Sequence, residues 1–302
     1  MLIQIVKSYL AVRRACGFKL KSEGSLLCSY ATFSDAKGKH HVCTEIAIEW
    51  AGQSQSVFQR ARRLGEVIRF ARYARAEDPS HELPPAVFGR EKRQRPVPYI
   101  FTQDDIRRLV QAAFQSGRPT LRRQTYGTFF ALLACTGLRV SEAIRLRFKD
   151  ITSDGLVIRC TKFCKSRLVP LHETSQAGLE CYLKKRRKYA PFDDHVFISL
   201  RRKPLLIRDV ETAFQTAADK IGLVRGPCLP RPTPHSLRHT FAVRALESCP
   251  DSRDCITKHM LALSTYLGHS KVADTYWYLE ATPELMRNIA ERCERFAKGG
   301  TQ

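Results

Sequence analysis

The chain has 302 residues, 43% hydrophobic and 26% charged, the balance of a folded protein with one large or two ordinary domains. Its 51 Lys and Arg against 29 Asp and Glu leave a net charge of +22, more than solubility requires, and such a field attracts a polyanion. No apolar stretch approaches the roughly 20 residues of a spanning helix, the N-terminus lacks a signal-peptide pattern, and the eleven cysteines are scattered and odd in number. Membrane-spanning and disulfide-framed secreted proteins are therefore not expected, a reducing cytoplasm is the natural compartment, and charge alone leaves open a basic surface on a ribosome-associated or membrane-skimming protein.

Ile3, Val6, Leu10 and Ala15 recur at helical spacing, and a second amphipathic stretch runs from about Thr44 to Trp50. From Ser56 to Arg75 the apolar stripe Val57, Ala61, Leu64, Ile68 and Ala71 predicts a longer helix. Its other side carries Arg62, Arg69 and Arg72, with Arg60, Arg63 and Arg75 beside them. Such a row is often only a solvated face, but six arginines on one helix of so basic a chain favour phosphate contact. Residues 1–90 thus form an expected small all-helical domain. A linker over 91–100 mixes proline with Lys92, Arg93 and Arg95, and can lie along a backbone groove.

The remaining domain, 101–302, opens with Thr102-Gln-Asp-Asp105, a helix cap with acids in the first turn. Residues 125–135 form a buried helix that Gly137 stops, and Ser141 is expected to cap the next. Gly155–Cys160 and Ser166–Leu171 read as strands joined by a turn holding Lys162 and Lys165, and the pattern is helical again from about 173. The fold class is therefore mainly α with a small antiparallel β-sheet, in two domains. Near the end Thr282-Pro-Glu284 starts a helix over about 282–298, striped by Leu285, Ile289, Cys293 and Phe296.

The chemistry lies in five segments: Thr136-Gly-Leu-Arg139, Lys162, His235-Ser-Leu-Arg-His239, Leu267-Gly-His269 and Tyr278. Thr233 and Pro234 place His235, Arg238 and His239 on the first turns of a helix, where free N–H groups and the helix dipole favour a phosphate. Two guanidiniums, Arg139 and Arg238, can hold both non-bridging oxygens of a scissile phosphate and neutralise the charge gained in a pentacoordinate transition state. For His239 a structural role is the better reading, and for His235 the worse one. Cys160 and Cys164 lack partners at zinc-site spacing, and no acid cluster suits a metal. Two arginines, a lysine, histidines and a tyrosine are equipment for cleaving a phosphodiester through a covalent phosphotyrosine.

Taken in order, these segments resemble the tyrosine recombinase (integrase) family, which includes the Xer recombinases, Cre and lambda integrase. Thr136–Glu142 resembles the segment with the first catalytic arginine, Arg139, and its acidic support, Glu142. Thr161–Leu171 is similar to the hairpin that carries the family lysine, a role whose register falls on Lys162 and leaves Lys165 beside the DNA. His235 and Arg238 match the His-x-x-Arg pair, and Leu267–Ser270 matches the box whose histidine, His269, contacts the phosphate. The nucleophile nine residues on is Tyr278, with Tyr276 the nearest competitor. The match covers about 99–280, and residues 247–263 are longer than the family pattern. The stretch from Ala273 to Glu284 resembles recombinases of mobile elements more than chromosome-dimer resolvases.

The resemblance implies attack by Tyr278, a 3′-phosphotyrosyl link, and no metal, ATP or other cofactor. Lys162 is the implied acid for the leaving 5′-oxygen, His235 the proton acceptor, and His269 a donor to a non-bridging oxygen. Partners implied are double-stranded DNA with specific recombination sites and a homo- or hetero-tetramer on that DNA, coupled by the terminal helix, with no membrane. The rival readings are a non-catalytic DNA-binding accessory factor and a type IB topoisomerase-like enzyme.

Overall fold

The computed structural model describes residues 1–89, 98–116, 120–159, 166–190, 192–223, 231–248, 253–269, 271–278 and 294. The chain divides into two units, Met1–Arg95 and Pro96–Gln302. Lys92, Arg93 and Arg95 of the expected linker, Lys162 and Lys165 of the hairpin turn, and the expected helix over 282–298 lie outside the described residues, save Glu294.

The first unit is built from α1 (Leu2–Ala15), α2 (Lys21–Ala36), α3 (Thr44–Gly52) and α4 (Val57–Glu77). Asp35, at the end of α2, accepts from the Leu2 and Ile3 amides at 2.9 and 3.2 Å, so a carboxylate satisfies the open N-terminus of α1. Leu2, Val6, Leu27, Tyr30, Trp50, Leu64, Val67 and Phe70 form the core, and each large apolar side chain there contributes on the order of 2 kcal/mol by leaving water.

Two sequence expectations shift here. The buried stripe of α4 is Leu64, Val67, Phe70, Ala71 and Ala74, while Val57 is exposed and Ala61 and Ile68 only half-buried, so the helix is rotated from the stripe read along the sequence. On the same helix the Arg63 guanidinium lies over the Trp50 ring at 4.0 Å, so a cation's flat face occupies a place the pattern gave to solvent. In addition α2 is a full helix over a stretch in which no separate element is singled out from the sequence.

The second unit places α6 (Leu121–Thr136) against α5 (Gln103–Phe114), α8 (Glu173–Tyr189), α9 (Ile207–Lys220) and α10 (Pro234–Glu247). Phe129, Phe130 and Leu133 of α6 are fully buried, and edge-on contacts with Phe197 and Phe214 fix their packing. Thr102 and Asp105 cap α5 reciprocally at 3.0 and 3.1 Å. Gly137 ends α6 at φ +60°, and a Cβ there would lie 2.5 Å from the Phe241 ring, so conformation and space both call for glycine.

After the short helix α7 (Val140–Ile144), three antiparallel strands follow in the order β1 (Ile151–Thr152), β2 (Gly155–Ile158) and β3 (Arg167–Val169). The β2–β3 register pairs Leu156 with Val169 and Ile158 with Arg167. The described strands are shorter than the sequence implied, and β1 is an addition to the expected pair. Residues 192–206 are not helical as expected but run through turns and bends, with isolated bridges pairing Arg147 with His195 and Ile198 with Pro204. α11 (Arg253–Leu267) and the one-turn α12 (Ala273–Tyr276) follow among the described residues. A small apolar cluster of Ala242, Val243, Leu246, Met260, Leu263 and Leu267 sits between α10 and α11. No helix of the described residues is long and apolar enough to cross a membrane.

Candidate active site

The first turn of α7 begins the site. Arg139, not the expected Ser141, is the residue that precedes α7, and the Glu142 carboxylate accepts its amide at 3.0 Å. An acid three residues into a helix serves its open end better than Ser141, which already lies within it. The same carboxylate accepts from the Arg139 guanidinium at 2.8 Å. Arg167 of β3 then approaches it with both terminal nitrogens, at 3.1 and 2.8 Å. Glu142 is buried, which alone would raise its pKa, but Arg167 first and Arg139 after it outweigh burial and hold the carboxyl down to about 2. Removing one member of a pair so enclosed costs on the order of 3–5 kcal/mol.

Three successive carbonyls at the end of α11 receive three different arginines. Tyr266 O accepts from Arg167 Nε at 2.7 Å, Leu267 O from Arg238 Nη2 at 2.8 Å, and Gly268 O from Arg139 Nη2 at 3.0 Å. These are carbonyls a helix leaves without partners, at the end where its dipole favours cations. Gly268 makes the arrangement possible. Its φ is +66°, and a Cβ would stand 2.7 Å from Arg167 Nη1.

Arg238 also donates to Gly137 O at 2.6 Å, tying α10 to the end of α6. It is buried, 2% exposed, rather than projecting freely from the helix start as its position suggested. Burial, then repulsion from Arg139, lowers its pKa to about 10, so it stays charged at neutral pH. Thr233 and Ser236 shape the start of α10, with the Thr233 amide donating to Ser236 Oγ at 3.1 Å and Pro234 in the first turn.

The histidines and the tyrosine complete the cluster. His269 lies with Nε2 3.0 Å from Arg238 Nη2 and Nδ1 2.7 Å from Thr275 Oγ1. The Tyr278 ring stacks 6.0 Å from His269 and lies 5.5 Å from His239, whose ring in turn meets His235 edge-on at 4.5 Å. Tyr278 is 3% exposed within the apolar cluster between α10 and α11, whereas Tyr276 is 55% exposed. Burial, then Arg238 and Arg139, lowers both His235 and His269 to about 4. Burial and the neighbouring histidines and Arg238 lower His239 to about 3. His235 is an exposed residue, so solvent weakens these effects there, and at all three rings the shift runs toward the neutral form at pH 7.

Of the residues expected from sequence, the structure brings together Arg139, Glu142, His235, Arg238, His239, His269 and Tyr278. Arg62, Arg69 and Arg72 stand on α4 of the first unit. Arg69 pairs with Glu66, Arg62 donates to Ser22 at 3.2 Å and lies 3.9 Å from Glu23, and Arg72 is exposed. Arg167 and Thr275 are the residues sequence reasoning missed. Arg167 sits in the quoted hairpin motif, five residues after Lys162, but no local pattern ties it to Glu142, 25 positions earlier.

The sequence matches the profile described as the phage integrase family over residues 100–284. It is 38% identical to a chain of Sinorhizobium fredii named as an integrase/recombinase (y4rB), over 97% of this chain and 96% of that one. Tyrosine recombinase XerC of Pseudomonas syringae is 32% identical over 75% of this chain and 70% of its own length. Among solved structures, the Tn1549 transposon integrase in complex with transposon right-end DNA superposes with a TM-score of 0.67 at 20% identity, covering 96% of this chain and 98% of that one.

Proposed function

The chain belongs to the phage integrase family, and from that premise we propose the roles of its residues in site-specific DNA recombination. As a tyrosine recombinase it cleaves and rejoins DNA through a covalent 3′-phosphotyrosyl intermediate. The observation that carries the assignment of its site is the chain of contacts from Arg139 through Gly268 to His269, Arg238 and the ring of Tyr278.

In the proposed step the Tyr278 oxygen forms a bond to phosphorus as the bond to the 5′-oxygen breaks. The phenolic proton passes to His235, whose ring is neutral at pH 7 and so has a lone pair to accept it. A proton from Lys162 goes to the departing 5′-oxygen. Arg139 and Arg238 neutralise the charge on the non-bridging oxygens, held in place by the carbonyls of Gly137, Leu267 and Gly268. Attack by a 5′-hydroxyl of another duplex reverses these events, and the retained phosphoester bond removes any need for ATP. Because Tyr278 is 3% exposed, DNA binding must open its pocket before attack. The structure of an integrase relative bound to DNA supports DNA as the partner, and specific sites and a tetramer around two duplexes are part of the proposal. So are a DNA-clamping role for the first unit and a cytoplasmic, nucleoid-associated location.

The test uses a nicked duplex recovered from a random-sequence library by the purified full chain. A covalent protein–DNA adduct with a free 5′-hydroxyl on the released strand is expected. Tight binding with no adduct on any recovered duplex would leave only a non-catalytic DNA-binding protein.

A further inference from the structure

We propose that Arg167 is a positioning residue for the strand-cleavage step, aligning Arg139 through Glu142 and fastening the β2–β3 hairpin to the end of α11; this rests on the function proposed above. Three observations meet in this one side chain. It is 10% exposed, and both terminal nitrogens are spent on the Glu142 carboxylate. Its Nε is spent on Tyr266 O, and the lack of a Cβ at Gly268 leaves it room. It pairs across the ladder with Ile158 and stands five residues after Lys162 in the sequence.

The geometry separates Arg167 from a group that touches DNA. Its donors point to a carboxylate and a carbonyl inside the protein, while Arg139 shares that carboxylate and keeps 30% of its side chain exposed. Glu142 thus has one arginine on each side, one buried and one facing out. Without Arg167, two carboxylate oxygens compete for the single remaining guanidinium and draw Arg139 inward, away from a phosphate. A lysine at this position would keep the charge and lose the fork that grips both oxygens.

Arg167→Ala and Arg167→Lys are compared with Arg139→Ala and with the double variant Arg139→Ala/Arg167→Ala, in single-turnover adduct formation on the nicked duplex described above. Arg167→Ala is expected to slow adduct formation roughly 10- to 100-fold and Arg167→Lys less, with DNA affinity within about threefold of the parent. The double variant should be no slower than Arg139→Ala within about threefold, because one residue acts through the other. On a duplex whose scissile phosphate is a methylphosphonate, the charge Arg139 neutralises is gone, so the defects of Arg139→Ala and Arg167→Ala should shrink together. A fold that is merely loosened would remain slow on both substrates. Where Arg167→Ala fails to fold, Arg167→Lys and its double variant with Arg139→Ala carry the same comparisons. Multiplicative losses in the double variant, or a defect unchanged by the methylphosphonate, would overturn the proposal. Absence of any adduct from the parent chain would overturn the proposed function and this inference with it, whereas an active parent with independent Arg139 and Arg167 effects would overturn this inference alone.

Discussion

Arg238 donates to Nε2 of His269 at 3.0 Å, and this one bond decides where the imidazole proton sits. A guanidinium has no acceptor, so Nε2 must accept, the neutral ring carries its proton on Nδ1, and that proton goes to Thr275 Oγ1 at 2.7 Å. In this state His269 cannot donate from Nε2 to a phosphate oxygen. On the proposed role, a phosphate takes over the Arg238 donor, and the neutral ring then shifts its proton to Nε2, where it can donate, while Nδ1 accepts from the Thr275 hydroxyl.

Thr275 is fully buried, and its hydroxyl orients the ring. Thr275→Val should reduce adduct formation about tenfold, in line with loss of a hydrogen bond worth roughly 1–1.5 kcal/mol, with little effect on DNA affinity. Single-turnover cleavage and a binding titration check this. A normal cleavage rate would free His269 from dependence on Thr275.

Stability should fall as pH drops below about 6.5, the ordinary histidine value. His239 and His269 have folded pKa values lowered to about 3 and 4, so between those values and about 6.5 the unfolded chain binds more protons than the folded one. Their contribution is full above that window and lost progressively within it. Glu142, lowered to about 2, adds a second loss as pH falls from about 4.5 toward 2. Thermal unfolding from pH 8 to 4.5 measures the first loss. His239→Asn should flatten it, and an unchanged slope would remove His239 from the account.

The legibility of this chain divides by range of interaction. Gly137, Thr102 with Asp105, and Thr233 with Pro234 were readable because a cap needs only residues a few positions apart. Arg167 was not, because its partners at Glu142 and Tyr266 lie 25 and 99 positions away and nothing in the local pattern points to them. The burial of Arg238 was hidden for the same reason, since the carbonyls that replace its water belong to Gly137 and Leu267. On α4, periodicity found the helix but missed the rotation that buries Glu66 beside Arg69. Seven residues that the fold brings together were still legible, through the ordered motifs and the family they resemble.

Lys162→Ala should impair cleavage of an ordinary duplex severely and of a 5′-phosphorothiolate far less, since sulfur leaves without a proton. Parallel single-turnover rates on the two substrates make the comparison. Rescue confined to Lys165→Ala would move the acid role to Lys165.

DNA affinity should fall steeply with salt. Arg72→Ala, an exposed position, should flatten the slope of log K against log salt by about 0.9 if it meets one phosphate, and the triple change at Arg62, Arg69 and Arg72 by up to about 2.7. The acids beside Arg62 and Arg69 make the triple effect smaller than three independent contacts would give. An unchanged slope would return this face of α4 to ordinary solvent.

Tyr278 is the residue proposed to form the bond to DNA. The direct measurement compares Tyr278→Phe and Tyr276→Phe on the nicked duplex, scoring DNA affinity and covalent adduct together. Tyr278→Phe should bind within about threefold of the parent and form no adduct, while Tyr276→Phe, altered at an exposed ring, should still form it. An adduct from Tyr278→Phe, with none from Tyr276→Phe, would contradict the account.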